Sequence, residues 1–209
     1  MLVKNDYVAK HDVVFVKEND TKQTVFKKLN DSGYRCIPVL DEDKKTFVGN
    51  IYKVHLLEYE KNYGKLDGTV KELIKNKNGH AKEDDPFFTV FSLIKQLPYL
   101  AIVDENKTFL GILTNGNVIQ VLENAWGANN GSYSLTIGTI EYSGALQKML
   151  RVVNKHCNVQ SVISLNNNSN YVRRVCIVLP MEVDEALMKK VCDDLDKNNF
   201  TVTDIETLN

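Results

Sequence analysis

The sequence predicts an α+β fold, in which a duplicated α/β-type unit is followed by a smaller βαββαβ domain. The duplication is visible in residues 32–55 (SGYRCIPVLDEDKKTFVGNIYKVH), which return in part at residues 97–117 (LPYLAIVDENKTFLGILTNGN). The change of domain is marked by the turn-prone segment GANNGS, after which the pattern of apolar residues differs. We therefore expect two repeats at residues 1–67 and 68–126, a linker at 127–132 and a third domain at 133–209.

The composition is typical of a soluble globular protein. Hydrophobic residues make up 43% and charged residues 25% of the 209 residues, and no apolar run approaches the roughly 20 residues that span a bilayer. The net charge of −1 gives no electrostatic reason to expect nucleic acid or an anionic membrane as a partner. The N-terminus lacks the apolar core of a signal peptide, and the four cysteines show no C-x-x-C pair and no disulfide-framework spacing. A cytoplasmic location is therefore expected.

The first repeat predicts the order strand, helix, strand, strand, helix. Asn19 and Asp20 are good helix N-caps, Val25 and Leu29 follow at helical spacing, and Gly33 is a typical C-cap. Apolar runs rich in β-branched residues predict the strands. The expected elements are a strand at residues 12–16, a helix that ends at Gly33, strands at residues 34–40 and 46–52, and a helix from 52 to about 63.

The second repeat presents the same motifs in the same order, about 62–67 residues later. KEND, TVF, IPVLDE and TFVG of the first repeat return as KEDD, TVF, LAIVDE and TFLG, and Val3-Lys4 returns as Val70-Lys71. Five matches in one order predict an internal duplication. Within the first repeat, Pro38 indicates an edge strand or a break in the strand ladder.

Residues 133–209 predict a βαββαβ domain, which is the order of the ferredoxin-like split βαβ fold. Leu146, Met149 and Val153 mark one helix, and Val191 and Leu195 mark the other. A domain of this size leaves one face of its sheet for a partner to cover. The strands are expected at residues 133–140, 159–165, 171–179 and 200–208, with a polar hairpin loop at 166–170.

The duplicated half resembles a pair of CBS domains, the tandem regulatory unit called a Bateman module. The likeness is carried by the VVFV run at residues 13–16, by SGYRCIPVLD, and by the G-x-[IL]-x segments that open at Gly49 and Gly111. The last domain resembles an ACT domain in its element order and in the Gly144-Ala145-Leu146 turn. With this layout the chain is similar to the acetoin-utilisation-type CBS–ACT proteins of Gram-positive bacteria, and it resembles the stand-alone CBS proteins of that group that bind cyclic di-AMP.

The resemblance to CBS pairs implies an adenosyl ligand: cyclic di-AMP, AMP, ATP or S-adenosylmethionine. In the family, adenine lies against the first strand and the x-x-x-P strand of one repeat, while a Thr or Ser and an Asp three residues later in the other repeat hold phosphate and ribose. At these two positions the second repeat has Thr114 and Asn117, whereas the first repeat has Tyr52 and His55. The resemblance therefore implies ligand binding by Asp12, Val13, Val14, Tyr34, Arg35, Cys36, Pro38, Thr114, Asn115 and Asn117.

Several of these side chains also have an ordinary structural interpretation. Thr114 is suited to cap a helix, and Arg35 is suited either to lie in solvent or to bind a phosphate. Tyr34 and Tyr99 fit core or interface aromatics better than stacking platforms. Asn117 can hydrogen-bond a ribose and places no negative charge near a phosphate. The second groove of the pair is expected to be partly filled by aromatic bulk, around Ala81, Tyr99, Leu100, Tyr52 and His55.

The leading hypothesis is a non-enzymatic regulatory sensor that binds cyclic di-AMP, or else AMP or ATP, forms a homodimer and acts on a protein target that the sequence does not identify. The alternative is a partner-binding adaptor with a degenerate CBS groove, in which the ACT domain binds an amino acid or mediates assembly. Ser143, in place of the family's proline, weakens the amino-acid interpretation. An enzyme has the least support, because no phosphate-loop, dinucleotide or nucleophile-elbow motif occurs. The four histidines lack metal-type spacing, so no metal is expected. Because the catalytic and cofactor-binding motifs are missing, no catalytic site or cofactor is expected either.

Overall fold

The chain folds into two units, Met1–Val118 and Ile119–Asn209. The computed structural model describes residues 6–140, 143–165 and 173–208. The polar loop expected at residues 166–170 and Glu141 lie outside the described residues. Among the described helices, none is both long enough and apolar enough to cross a bilayer.

From Val8 to Trp126, strands and helices follow each other in the same order twice. Two short 3₁₀ helices, Lys10–Asp12 and Lys71–Leu73, interrupt the series. The elements are β1 (Val8–Ala9), β2 (Val16–Lys17), α1 (Lys22–Ser32), β3 (Cys36–Leu40), β4 (Phe47–Tyr52), α2 (Lys53–Tyr63), β5 (His80–Lys82), α3 (Phe87–Ile94), β6 (Tyr99–Val103), β7 (Phe109–Thr114) and α4 (Asn115–Trp126).

The strand pairing repeats with the sequence. β2 runs parallel to β3, which forms an antiparallel hairpin with β4; likewise β5 runs parallel to β6, which forms a hairpin with β7. β1 adds a fourth strand to the second sheet, because it pairs with β7 rather than with its own repeat. The internal duplication read from the motifs is therefore also present in the strand topology.

Two glycines of the duplicated motif allow a segment of one repeat to lie on the hairpin of the other. A Cβ on Gly111 would stand 2.0 Å from the carbonyl oxygen of Val8, and a Cβ on Gly49 would stand 2.7 Å from that of Lys75. The first segment of the first repeat thus packs on the second hairpin, and the first segment of the second repeat packs on the first hairpin. This exchange makes every groove between the repeats a composite of both.

The strand expected at residues 12–16 is wrong in its position. Lys10–Asp12 forms a 3₁₀ helix, closed by the Val13 amide on the Lys10 carbonyl, and β2 begins only at Val16. The ladder between β2 and β3 starts at Val16 opposite Val39. The Glu18 amide donates to the Leu40 carbonyl, so the backbone groups of Leu40 point toward β2. The backbone groups of Pro38, two residues earlier, point the same way. Pro38 has no N–H, so it cannot extend the ladder. Pro38 thus marks a break in the ladder, although β3 is the central strand of its sheet.

Helix α1 begins two residues later than the expected caps. Thr21 is the N-cap and its hydroxyl accepts a hydrogen bond from the Thr24 amide at 3.2 Å. The Asp20 carboxylate instead accepts from the Lys17 amide at 2.9 Å. Gly33 ends the helix in the left-handed conformation, with φ of 72°, as expected.

A shared apolar cluster joins the two sheets of the first unit. It joins Leu40 and Phe47 of the first repeat to Val103 and Phe109 of the second. The rings of Phe47 and Phe109 stack with their centroids 6.3 Å apart, and the Phe109 amide donates to the Lys45 carbonyl at 2.6 Å. The grooves lie on this junction, so its packing sets their shape.

The second unit has the expected βαββαβ order. Its sheet order is β11-β8-β10-β9 with all neighbours antiparallel, which is the ferredoxin-like arrangement. Both helices cover one face, where Leu135, Met149 and Val191 are fully buried. Gly131 and Ser132, expected in the linker, belong to the first strand of this sheet. The elements are β8 (Gly131–Thr139), α5 (Ala145–Val153), β9 (Ser161–Leu165), β10 (Arg173–Pro180), α6 (Glu185–Lys197) and β11 (Thr201–Thr207).

We predict that Gly111→Ala lowers the free energy of unfolding by about 3 kcal/mol, since the new methyl group meets backbone that cannot move without losing β1. The matched control is Gly116→Ala in α4, where the Cβ would make only an ordinary contact at 3.5 Å. That control should leave stability unchanged or raise it by up to about 1 kcal/mol. Urea titration measures both changes, and equal effects of the two substitutions would contradict the proposed close approach.

Candidate functional site

A cavity of about 430 Å³ lies where the two repeats of the first unit meet. Its walls come from the segment before β2, from the start of β3, and from β1, β6 and β7. Eight of the ten residues predicted from the sequence line it: Asp12, Val13, Val14, Tyr34, Arg35, Cys36, Pro38 and Thr114.

The apolar side of the cavity follows from the break at Pro38. Cys36 and Pro38 alternate along β3, so their side chains point to the same face of the sheet. The segment containing Val13 and Val14 passes this face before the β2 ladder begins. The result is a slot with apolar walls on two sides, next to a strand edge that the ladder does not cover.

Burial makes the cysteine in this wall chemically inert. Cys36 is 9% exposed, and burial raises the pKa of its thiol to about 11, although side-chain hydrogen bonds with Tyr99 and Tyr52 oppose the shift. The thiol is therefore neutral at physiological pH and serves as an apolar surface rather than as a nucleophile.

Part of the cavity wall has no signal in the sequence. Val8 and Ile112, which pair across β1 and β7, line the cavity, as do Pro98 and Tyr99. A two-residue strand is too short to be recognised by alternation, and its pairing with the other repeat needs the register of the folded chain. Tyr99 was assigned to the second groove, yet its ring also borders this cavity.

Thr114 and Asn117 cap the start of α4 reciprocally. The Asn117 Oδ1 accepts hydrogen bonds from the Thr114 amide at 3.1 Å and from its hydroxyl at 2.5 Å, while the Asn117 amide donates to Thr114 Oγ1 at 3.2 Å. This is a capping box with an asparagine in the third position. The Thr114 hydroxyl keeps one lone pair, so it can accept a further hydrogen bond from a molecule in the cavity. Its position also brings the positive end of the α4 dipole to the cavity.

The other two predicted residues do not line the cavity. Asn117 uses its Oδ1 in the cap, and the Asn115 side chain donates to the carbonyls of Leu97 and Pro98 at 3.3 and 3.5 Å. The side-chain amides of Asn115 and Asn117 thereby fix the positions of residues that do line the cavity. In this arrangement they act on the cavity through Thr114 and Pro98.

The charged groups lie at the rim. Arg35 and Tyr34 are exposed at the mouth, and the Asp12 carboxylate lies 3.2 Å from the His11 imidazole in an exposed ion pair. The rim thus offers one guanidinium, able to pair with an anion, and one carboxylate, able to accept from hydroxyl groups.

Aromatic side chains occupy part of the second groove between the repeats, as expected. The Tyr99 hydroxyl donates to Asn50 Oδ1 at 2.7 Å, and the Tyr52 hydroxyl donates to Asn76 Oδ1 at the same distance. The His55 ring packs on Tyr52 with centroids 5.4 Å apart. Burial raises the pKa of Tyr52 to about 12 and that of Tyr99 well above its ordinary value, so both phenols are neutral donors at physiological pH.

Among the residues that the structure describes, no group of three or more histidine, cysteine, aspartate and glutamate side chains is placed to hold a metal ion. Among the described residues, the titratable side chains that line the cavity are those of Asp12, Tyr34, Arg35, Cys36 and Tyr99. The arrangement is suited to holding a molecule with a flat apolar part and a polar or anionic part.

Comparison with known proteins identifies the family. The CBS domain family model matches residues 3–62 and 70–124, which together are more than half of the chain, so the chain belongs to the CBS domain family. Both matched ranges coincide with the two halves of the duplication. No curated protein matches the chain.

Solved structures share the fold of the CBS pair. A CBS domain pair/ACT domain protein from Thermotoga maritima is 23% identical with a TM-score of 0.51, covering 58% of this chain and 96% of that one. CbpB in complex with c-di-AMP is 18% identical with a TM-score of 0.53, covering 59% and 85%. CBSX2 in complex with AMP is 22% identical with a TM-score of 0.50, covering 58% and 95%. At these identities the likeness shows a common fold.

We predict that Asn117→Ala lowers the free energy of unfolding by about 1 kcal/mol, because the start of α4 loses its reciprocal cap. Asn124→Ala, at an exposed position near the end of the same helix, is the matched control and should change stability by less than about 0.5 kcal/mol. Thermal or urea unfolding measures both. An Asn117→Ala protein as stable as the control would show that the cap contributes nothing.

Proposed function

We propose that this chain is a non-enzymatic regulatory sensor that binds an adenine nucleotide in the cavity between its CBS repeats. Cyclic di-AMP is the first candidate ligand, followed by AMP and ATP. The observation that carries the proposal is the cavity itself, in which an apolar slot, a capping hydroxyl at a helix N-terminus and a rim guanidinium meet. These are the groups that a base, a phosphate and its charge require.

Each group of cavity residues has its own role in the proposed complex. Val13, Val14 and Pro38 take the flat adenine, whose polar edge can bond to backbone left outside the β2 ladder. The N-terminus of α4 faces the phosphate, the remaining lone pair of the Thr114 hydroxyl is placed to accept from a ribose hydroxyl, and Arg35 supplies positive charge at the mouth. Asp12 is placed to accept hydrogen bonds from ribose hydroxyls. Asn115 and Asn117 support this set by fixing Pro98 and Thr114.

Cyclic di-AMP is favoured for electrostatic reasons. The Thr114–Asn117 cap is neutral, so no carboxylate of that motif opposes a ligand with two phosphates. Relatives in the same fold were solved with c-di-AMP and with AMP, which supports an adenine nucleotide as the ligand class. A two-fold symmetric dinucleotide is matched by two equivalent cavities, one from each subunit of a dimer.

We propose a homodimer for the same reason. Val54 and Leu57 on α2 and Phe88 on α3 expose apolar side chains on the first unit. Exposed apolar residues of this kind are typical of interaction surfaces when they are contiguous. A nucleotide that binds one dimer arrangement more tightly would shift the population, and the ACT-like domain or an unidentified target protein would respond.

The four cysteines are free thiols, which supports a cytoplasmic location.

We predict that Thr114→Ala weakens nucleotide binding by about 1–3 kcal/mol, the range for leaving a polar partner unpaired. Titration calorimetry of nucleotide-stripped protein with cyclic di-AMP, AMP and ATP measures the change. Thr114→Ser is the matched control, because serine keeps both the hydroxyl and the cap, and it should bind nearly as the wild type does. Tyr52→Ala should also leave this affinity nearly unchanged.

Absence of binding by the wild-type protein at high micromolar concentration would contradict the proposed function. A large loss of affinity in Tyr52→Ala would assign the ligand to the other groove.

We predict that Arg35→Gln weakens binding of AMP about fivefold, because an exposed charge pair contributes at most ~1 kcal/mol. The affinity for adenosine, which carries no phosphate, should not change. Arg35→Lys keeps the charge and should retain most of the affinity at low salt. An equal loss for AMP and adenosine would mean that Arg35 contacts the base or supports the fold instead.

A second candidate function is that of an adaptor whose C-terminal domain binds the effector or mediates assembly. The observation that favours it is a cavity of about 360 Å³ in the second unit, lined by Ser134, Thr136, Cys176 and Val178 among others. These side chains alternate with the core residues of β8 and β10, so they belong to the sheet face that α5 and α6 do not cover. A rise in melting temperature with amino acids, together with none for adenine nucleotides, would favour this candidate over the sensor.

A further inference from the structure

Tyr99 lies on the boundary between the two grooves of the CBS pair. It stands directly opposite Thr114 in the β6–β7 hairpin and lines the cavity, yet its hydroxyl reaches across to the first repeat. There it donates to the side chain of Asn50 in β4 at 2.7 Å. The ring therefore forms a wall of one groove and occupies the other.

Comparison of the two repeats shows which side chains make the two grooves different. By the motif correspondence, Tyr99 and Asn50 of the filled groove stand where the open groove has Cys36 and Ile112. Tyr52 likewise stands where the open groove has Thr114. The β3–β4 and β6–β7 hairpins have the same pairing, so these side chains distinguish the two grooves at corresponding positions.

The Asn50–Tyr99 pair is buried, and the backbone of Asn50 is fixed by hydrogen bonds. Asn50 is fully buried, and Tyr99 is 5% exposed. The Asn50 backbone exchanges two hydrogen bonds with Lys75, at 2.7 and 2.9 Å, which fixes β4 where Asn50 projects. The other contact of the Tyr99 hydroxyl is with Cys36 Sγ at 3.8 Å, which is a weak interaction. The hydroxyl therefore depends on Asn50 for its partner.

We propose that the hydrogen bond from Tyr99 to Asn50 fixes Tyr99 as a partition between the grooves, so that each chain has a single nucleotide site. Tyr52, bonded to Asn76, closes the same groove next to the partition. Asn50 is thus a positioning residue: it touches no ligand and shapes the site through Tyr99. The proposal rests on the nucleotide site proposed above and adds its stoichiometry and the residues that set it.

The first test counts bound AMP per chain by titration calorimetry and native mass spectrometry. The wild type should bind one AMP per chain. The variant Asn50→Ile/Tyr52→Thr/Tyr99→Cys, which gives the filled groove the side chains of the open one, should bind two. Tyr63→Thr removes an exposed tyrosine of α2 and is the control that should still bind one.

The second test does not depend on how well the triple variant folds. Asn50→Leu keeps the side-chain volume and removes the acceptor, so it should weaken AMP binding about fivefold, because the Tyr99 hydroxyl must leave its place. Adding Tyr99→Phe removes the hydroxyl that lacks a partner, and the double variant should bind AMP closer to the wild-type affinity. A purely structural role of Asn50 would lower stability without this recovery of affinity.

The outcomes separate the two proposals. If the wild type binds none of AMP, ATP and cyclic di-AMP, the proposed function fails and the partition falls with it. If the wild type binds two AMP per chain, if the folded triple variant still binds one, or if Asn50→Leu binds AMP as the wild type does, the partition is wrong while the nucleotide site stands.

Discussion

The contact on which the first unit depends is the packing of its two hairpins against each other. Phe47 and Phe109 stack, and the backbone of Lys45 bonds to that of Phe109. Because the hairpins are joined in this way, Pro38 of one repeat and Thr114 of the other border the same cavity. Gly111 brings β1 close enough to complete the wall. The candidate site is a consequence of this packing, since neither repeat contains it alone.

The duplicated backbone creates two grooves, and side chains decide which one remains open. On one side Thr114 is a small capping hydroxyl beside Cys36 and Ile112, which leaves a cavity. On the other side Tyr99 and Tyr52 fill the space and satisfy their hydroxyls within the protein. Divergence of a few side chains after the duplication has thus made the two grooves of one scaffold different from each other. The fold makes the groove, and a few substitutions determine its use.

Local patterns predicted most of the fold, because apolar periodicity and turn residues are local signals. The duplicated strands, the helix end at Gly33 and the βαββαβ order of the second unit are confirmed. The strand at residues 12–16 was misplaced, since Pro38 on a neighbouring strand limits the ladder. The cap of α1 shifted to Thr21 because the Asp20 side chain bonds back to Lys17. The Tyr99–Asn50 bond could not be predicted, because it joins residues 49 positions apart across two repeats.

A crystal structure of the protein grown with cyclic di-AMP, or with AMP, tests the central claim most directly. We predict density for an adenine between Val14 and Pro38, with its phosphate near Thr114 and the start of α4, and Tyr99 still bonded to Asn50. Density for the nucleotide in the groove beside Tyr52, or in the second unit, would contradict the assignment of the site. A structure with the cavity empty at saturating nucleotide would contradict the sensor function itself.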